Sequence, residues 1–513
     1  MDLRDHTALE VGRMVRERRI GCEELARHAL RAIAETEPAL NACVTVLEAE
    51  ALAAARAVQA RLDAGEALSP LAGVPMVIKD NICTAGIPTT CGSKMLESFR
   101  PPYNATVYER LLAAGAVLVA KTNLDEFAMG GSTETSRFGP TRNPWDTARV
   151  PGGSSGGSAA SVAAGQAFYA LGSDTGGSIR QPCAFCGVSG VKPTYGAVSR
   201  YGLIAYASSL DQIGTIGRDI LDCAAALRLI EGRDERDSTS VARPPEAEAP
   251  AGVRGLRIGV PANYFGEGLD PAVAAPVRAA AQTFAAMGAE LVDVALPLVE
   301  YAIPAYYVVA CAEASSNLSR YDGVKYGFAG AGAESLEELY LRTRSEGFGM
   351  EVKRRIMLGA FVLSAGYFDA YYKKAMQARE LIQRDFGRVF TQCDMILSPN
   401  APTTAYKIGE NIDDPLKMYL GDIYTVSVNL AGLPGVTIPC GFAGGLPVGL
   451  QLIGRAFDEA TLFRAAAAFQ AETNFHKERP NRPSVPCGRE AATKNKDLGC
   501  GLQVQPTVEE ARA

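Results

Sequence analysis

The chain has 513 residues, 47% of them hydrophobic and 21% charged, which is globular usage with ample length for a buried core. Its net charge of −6, without a long basic run, lacks the electrostatic footprint of a protein that grips naked nucleic acid, so contact with RNA is expected only through a partner. Twelve scattered cysteines, with no signal-peptide pattern ahead of Cys22, read as reduced thiols of a cytoplasmic protein, and no apolar run approaches the roughly 20 residues of a membrane helix.

Residues 1–65 place apolar positions at helical spacing with charges between them and predict a helical lead-in. Beyond Leu71 the pattern changes. Strand-like 74–78, helix-like 106–114, strand-like 117–120, a small-residue helix after Gly157 and strand-like 167–171 follow one another, an alternation that implies an α/β sheet. The Pro- and acid-rich stretch 243–250 reads as a surface loop. A strand at 256–260, a helix at 273–287 and a strand at 289–294 come next, and 296–390 is largely helical and tyrosine-rich, an insertion over the sheet. Strand signals return at 395–397, 436–438 and 448–453. A helix at 459–473 then closes a single α/β domain over 66–483, and 484–513 reads as a loose polar tail. No internal period of about 20 to 50 residues suggests a solenoid.

Only three histidines occur, His6, His28 and His476, and their surroundings suit surface or capping roles, so an enzyme built on this chain is expected to use another base. The strand pattern from Leu71 ends on Lys79. Burial lowers a lysine pKa and leaves a neutral amine able to accept a proton; the alternative is an exposed Lys79 paired with Asp80, which side-chain alternation along a strand disfavours. Two Gly/Ser-rich loops follow, Pro151-Gly-Gly-Ser-Ser-Gly-Gly-Ser158 and Gly172-Ser-Asp-Thr-Gly-Gly-Ser-Ile-Arg180. In the second, glycines before Ser178 let backbone N–H groups converge on a small anion, while a plain turn with a helix cap is the competing reading. The first loop lacks the Lys-Ser/Thr ending of a phosphate-binding P-loop. Residues 153–157 also fit G-x-S-x-G, with Ser155 as nucleophile and His476 as base, but the polar, proline-interrupted 146–151 is not the strand that such an elbow requires. Cys183 and Cys186 have redox or zinc spacing without a second pair or a histidine nearby, so they are expected to be buried thiols and no metal site is expected.

Lys79, the Gly/Ser run around Ser154 and Asp174-Thr-Gly-Gly-Ser178 together resemble the amidase signature family. In both, 75 positions separate the lysine from the first serine and 24 separate the two serines. The similarity runs to about Pro483. It implies a mixed central β-sheet covered by helices on both faces, with the helical insertion over the active site. It also implies Ser178 as nucleophile, Ser154 as a bridging serine on a cis peptide, Lys79 as base, and Thr175, Gly176 and Gly177 as the oxyanion hole. Segments 127–136, 313–323, 351–356, 364–372 and 422–435 are most similar to the branch formed by the A subunits of aspartyl/glutamyl-tRNA amidotransferases. That branch implies glutamine as substrate, with Arg355 and Asp422 holding its carboxylate and ammonium and Tyr306 beside them. It further implies a heterotrimer with B and C subunits, no cofactor in this chain, ATP and magnesium in a partner, and tRNA bound indirectly through the B subunit. The alternative is a stand-alone amidase acting on another carboxamide. The stretch beyond about Cys487 extends past the usual end of the family and is assigned no function.

Overall fold

Eleven strands among the described residues join in one sheet: β1 (Cys43–Val46), β2 (Pro75–Lys79), β3 (Val117–Thr122), β4 (Tyr169–Asp174), β5 (Ser189–Lys192), β6 (Gln212–Gly217), β7 (Arg257–Pro261), β8 (Glu290–Val294), β9 (Met395–Pro399), β10 (Gly435–Ala443) and β11 (Leu446–Gly454). Their order across the sheet is β1-β3-β2-β4-β6-β5-β10-β11-β9-β7-β8. The computed structural model describes residues 3–242, 252–412 and 414–481. The loop expected at 243–250 and the tail expected at 484–513 lie outside them.

The sheet is mixed. β2 runs parallel to β3 and β4, and β7 runs parallel to β8 and β9, while the remaining pairs are antiparallel. Every residue of β2, β3 and β4 is buried, as expected of parallel strands covered on both faces. β10 and β11 form a hairpin through Gly444 and Gly445, whose φ angles of +58° and +81° suit the tight two-residue turn that matches strand twist. Helices cover both faces. A Cβ on Gly449 of β11 would lie 2.6 Å from Ala184 in the helix Arg180–Cys186. One on Gly454, five residues on and therefore on the other face, would lie 3.0 Å from Leu462 in the helix Glu459–Glu472.

The lead-in contains the helices Ala8–Arg16, Cys22–Leu40 and Glu48–Asp63, the first begun by a Thr7/Glu10 capping box. It is not helical throughout, because Cys43–Val46 pairs with β3 and extends the sheet at one edge. Four residues with two valines and a threonine are too few to stand out against the helical periodicity around them. β5 and β6 are likewise strands that the sequence pattern does not announce. Their glycines replace an apolar run for a packing reason: a Cβ on Gly190 would meet Cys183 Sγ at 2.5 Å, and one on Gly214 would meet the Val191 carbonyl at 2.0 Å. The block at 296–390 is helical as expected, with helices Ala302–Asn317, Leu336–Gly347, Met350–Leu363 and Lys373–Val389. Met350–Leu363 lies hard against Ala302–Asn317, since a Cβ on Gly359 would fall 2.0 Å from the Cys311 carbonyl oxygen. Among the described residues no helix is long and apolar enough to cross a membrane.

Candidate active site

The parallel strands β2 and β4 end side by side, and this brings Lys79 to Ser173. Lys79 is fully buried, with its Nζ 2.7 Å from Ser154 Oγ, 2.9 Å from Ser173 Oγ and 3.3 Å from the Ser173 carbonyl oxygen. Burial pushes its pKa down to about 7, against the opposing pull of Asp125, Asp174 and Asp211. A substantial uncharged fraction therefore exists at neutral pH. Asn81 Nδ2 also donates to Ser173 Oγ, at 2.9 Å, and fixes that hydroxyl from the other side.

Ser154 follows a cis peptide bond with Gly153 and stands two residues before the helix Gly156–Ala163. The Gly153 N–H donates to Gln181 Oε1 at 2.9 Å, and Thr133 Oγ1 donates to the Gly152 carbonyl at 2.8 Å. Asp125 is pressed so closely against this turn that a Cβ on Gly153 would fall 2.1 Å from its Oδ2. Ser155 takes no part with histidine. Its hydroxyl donates to the Ser173 carbonyl at 3.0 Å, and His476 lies 3.9 Å from Asp219 instead.

Ser178 stands on the loop between β4 and the helix Arg180–Cys186, with its carbonyl accepting the Ser155 N–H at 3.0 Å. Both serines are buried, Ser154 wholly and Ser178 to within 8%. Among the described residues no hydrogen bond joins the Ser154 and Ser178 hydroxyls. Lys79 and Ser154 are thus directly paired, while Ser178 is tied to the same turn through the backbone.

Asp174 shapes the Ser178 loop. Its carboxylate accepts the N–H groups of Gly177 at 2.9 Å and Ile179 at 3.1 Å, together with Nε and Nη2 of Arg180, each at 3.0 Å. Burial would raise the Asp174 pKa, but the Arg180 guanidinium holds the carboxyl well below the usual range. Arg180 is itself fully buried and also donates to Gln451 Oε1 at 2.6 Å and to the Thr425 carbonyl at 3.1 Å. The N–H of Gly177, one of the expected oxyanion donors, is thus directed at Asp174. The N–H groups of Thr175, Gly176 and Ser178 have no such acceptor among the described residues. Glycine is required at 176 and 177 by contact, because a Cβ would fall 2.6 Å from the Tyr306 ring and 2.3 Å from Thr425 Oγ1 respectively.

Tyr306, Arg355 and Asp422 gather beside that loop. Arg355 is buried, donates from Nε to Glu351 at 2.8 Å and from Nη1 to the Tyr206 hydroxyl at 2.6 Å, and lies 5.4, 5.3 and 5.5 Å from the ring centres of Tyr206, Tyr307 and Tyr419. Burial pushes the Asp422 carboxyl up to about 7 while Arg355 opposes the shift. The Thr425 N–H donates to the Asp422 carbonyl at 2.9 Å and its hydroxyl to the Gly176 carbonyl at 2.6 Å, so the Asp422 segment is fastened to the Ser178 loop. An aromatic cradle holding a fixed cation, the Glu351 carboxylate paired with it and the further carboxyl of Asp422 suits a zwitterionic amino acid.

Several residues of this arrangement do not stand out in the sequence: Asn81, Asp125, Ser173, Arg180, Tyr206, Glu351 and Thr425. Glu351 has a readable signal, standing four positions before Arg355 on one helix, the spacing of an ion pair. Cys183 and Cys186 are buried free thiols, donating weakly to the carbonyls of Ser189 and Pro151. Among the described residues no group of three or more His, Cys, Asp or Glu side chains could hold a metal ion.

The mixed sheet and the paired signature loops define an amidase: residues 24–463 match the family described as Amidase, and the chain belongs to it. It is similar to the A subunit of the glutamyl-tRNA(Gln) amidotransferase of Caldanaerobacter subterraneus subsp. tengcongensis, 55% identical over 482 residues that cover 93% of this chain and 98% of that protein. The crystal structure of the A subunit of glutamyl-tRNA(Gln) amidotransferase from Thermotoga maritima superposes with a TM-score of 0.78 at 43% identity, over 94% of this chain and 99% of that one. The native peptide amidase from Stenotrophomonas maltophilia shares the fold at a TM-score of 0.79 and 30% identity, covering 93% and 99% of the two chains.

Proposed function

We propose that this chain is the glutaminase subunit of a tRNA-dependent amidotransferase, with Lys79, Ser154 and Ser178 as its catalytic residues. The observation that carries the chemistry is the 2.7 Å contact between fully buried Lys79 and Ser154, on the turn whose Ser155 N–H is bonded to the Ser178 carbonyl. Uncharged Lys79 takes the Ser154 proton, Ser154 takes the Ser178 proton, and Ser178 Oγ attacks the side-chain carboxamide carbon of glutamine. The N–H groups of Thr175, Gly176 and Ser178 stabilise the oxyanion. The proton returns along the same relay to the departing ammonia, and water then releases glutamate from the ester. Arg355 binds the α-carboxylate, Asp422 the α-ammonium, and Tyr306 lines the pocket, an arrangement that favours an amino acid over a plain amide.

The ammonia serves a partner that converts Glu-tRNA(Gln), Asp-tRNA(Asn) or both to the amidated forms. In this reading the chain works in a heterotrimer with B and C subunits, tRNA contacts run through the B subunit, and ATP and magnesium belong to that partner. The names of similar proteins support the assignment. Free cysteines throughout the described residues support a reducing, cytoplasmic setting.

The test is amidation by the reconstituted complex carrying Ser178→Ala. Activity with glutamine is expected to fall at least about 10³-fold and activity with ammonium to persist. Retained use of glutamine would overturn the role of Ser178. Full-rate hydrolysis of simple carboxamides by the isolated chain would favour a stand-alone amidase instead.

A further inference from the structure

Glu126 is buried and takes no part in the relay or the oxyanion loop. Its Oε2 accepts the Gly349 N–H at 2.8 Å, and its Oε1 accepts the Ser93 hydroxyl. Gly349 is the residue before the helix Met350–Leu363, which carries both Glu351 and Arg355. The approach is close enough that a Cβ on Gly349 would fall 2.3 Å from Glu126 Oε2. The next residue, Phe127, packs against Phe348 and Tyr321 at ring separations of 5.7 and 5.2 Å, securing the same junction with apolar contact. On the other side of Glu126, Asp125 abuts Gly153 in the turn that presents Ser154. Two consecutive carboxylates therefore reach the two halves of the site, one the Ser154 turn and the other the helix of Arg355.

We infer that Glu126 is a positioning residue that sets the distance between the Arg355 clamp and the Ser178 loop, by tethering the first turn of the Arg355 helix to the segment that supports Ser154. The inference rests on the reading of Arg355 as the carboxylate-binding group. Glutamine is a short substrate whose carboxylate and carboxamide are joined by a few single bonds, so the clamp and the nucleophile must keep a fixed separation. A displacement of about 1 Å in such a constellation costs as much as about 100-fold in rate.

The experiment uses the reconstituted heterotrimer with Glu126→Ala and Glu126→Gln. The alanine enzyme is expected to show a KM for glutamine raised about tenfold, a kcat within about threefold of the parent, and unchanged amidation with ammonium. The glutamine variant should fall between the two, since its amide oxygen still accepts the Gly349 N–H. An unchanged KM in the alanine enzyme, equal losses with glutamine and with ammonium, or a Gln variant as defective as the Ala variant would each overturn the tether. If the alanine variant does not assemble, Ser93→Ala supplies the reading: about a threefold rise in KM is expected, and none overturns the inference. Arg355→Ala separates the two layers. A normal KM there overturns the clamp itself, whereas a raised KM there beside a normal KM in Glu126→Ala overturns the tether alone.

Discussion

Lys79 meets Ser173 twice, its Nζ lying 2.9 Å from the hydroxyl oxygen and 3.3 Å from the carbonyl oxygen of that residue. An uncharged amine has two N–H bonds and one lone pair. With both N–H bonds directed at Ser173, the lone pair is left to the Ser154 hydroxyl at 2.7 Å. In the proposed mechanism Ser173 thus orients the base, and the relay has a direction before substrate arrives.

Replacing Ser173 by alanine should lower kcat/KM for glutamine by about 10- to 100-fold, because the amine loses one of its two anchors. The same substitution should move the acidic limb of the pH–rate profile to lower pH. An acceptor stabilises the ammonium form more than the amine, so its removal depresses the lysine pKa further. Ser173→Thr keeps the oxygen and should restore most of the rate. Glutaminase profiles of the complex check both effects, and a rate loss without a shift of the limb would assign Ser173 a packing role only.

The pH dependence of the parent enzyme has a sign that follows from two groups. In the proposed mechanism Lys79, pushed down to about 7, acts when uncharged, and Asp422, pushed up to about 7, binds an ammonium when ionised. Both active forms predominate above that pH and both are lost below it. In the free enzyme the two losses multiply, so log kcat/KM should fall with a slope approaching about two on the acidic side. Once glutamine is bound its ammonium keeps Asp422 ionised, and log kcat should fall with a slope of about one. Initial rates between about pH 5 and 9 in one ionic-strength series measure both, and a flat kcat profile across that range would deny Lys79 its role as the base.

The strands legible in the sequence are those written in Val, Ile and Leu, such as β2, β3 and β11. β5 and β6 are hidden because Gly190 and Gly214 sacrifice apolar side chains to let the helix of Cys183 and the segment holding Ile179 come close. In the site, Lys79 is legible as a charge closing a buried strand, and Ser178 as a serine in a glycine loop. Glu126 and Arg180 are not, since what they do depends on chain far away: Gly349 lies 223 positions from Glu126, and Gln451 lies 271 from Arg180. Local pattern reveals a residue whose burial alone is informative, and misses one whose meaning is its partner.

Arg180 gives a prediction in which stability and activity part company. Its guanidinium grips both oxygens of Asp174, and both side chains are wholly buried. Arg180→Met leaves that carboxylate unpaired in a low-dielectric interior, a loss expected to cost about 3 to 5 kcal/mol. Burial then dominates the Asp174 pKa, which should rise far above its present depressed position, and a protonated Asp174 accepts the Gly177 and Ile179 N–H groups less well. Glutamine hydrolysis should fall with the loss of loop order. Arg180→Lys should not rescue either property, because an ammonium cannot supply the paired donors of the fork. Adding Asp174→Asn to Arg180→Met removes the stranded charge and should recover part of the stability without recovering glutaminase activity. Urea unfolding of the purified complexes at pH 7 reads the first quantity and glutamate release the second; an Arg180→Met protein within about 0.5 kcal/mol of the parent would mean that the pair stabilises neither the fold nor the loop.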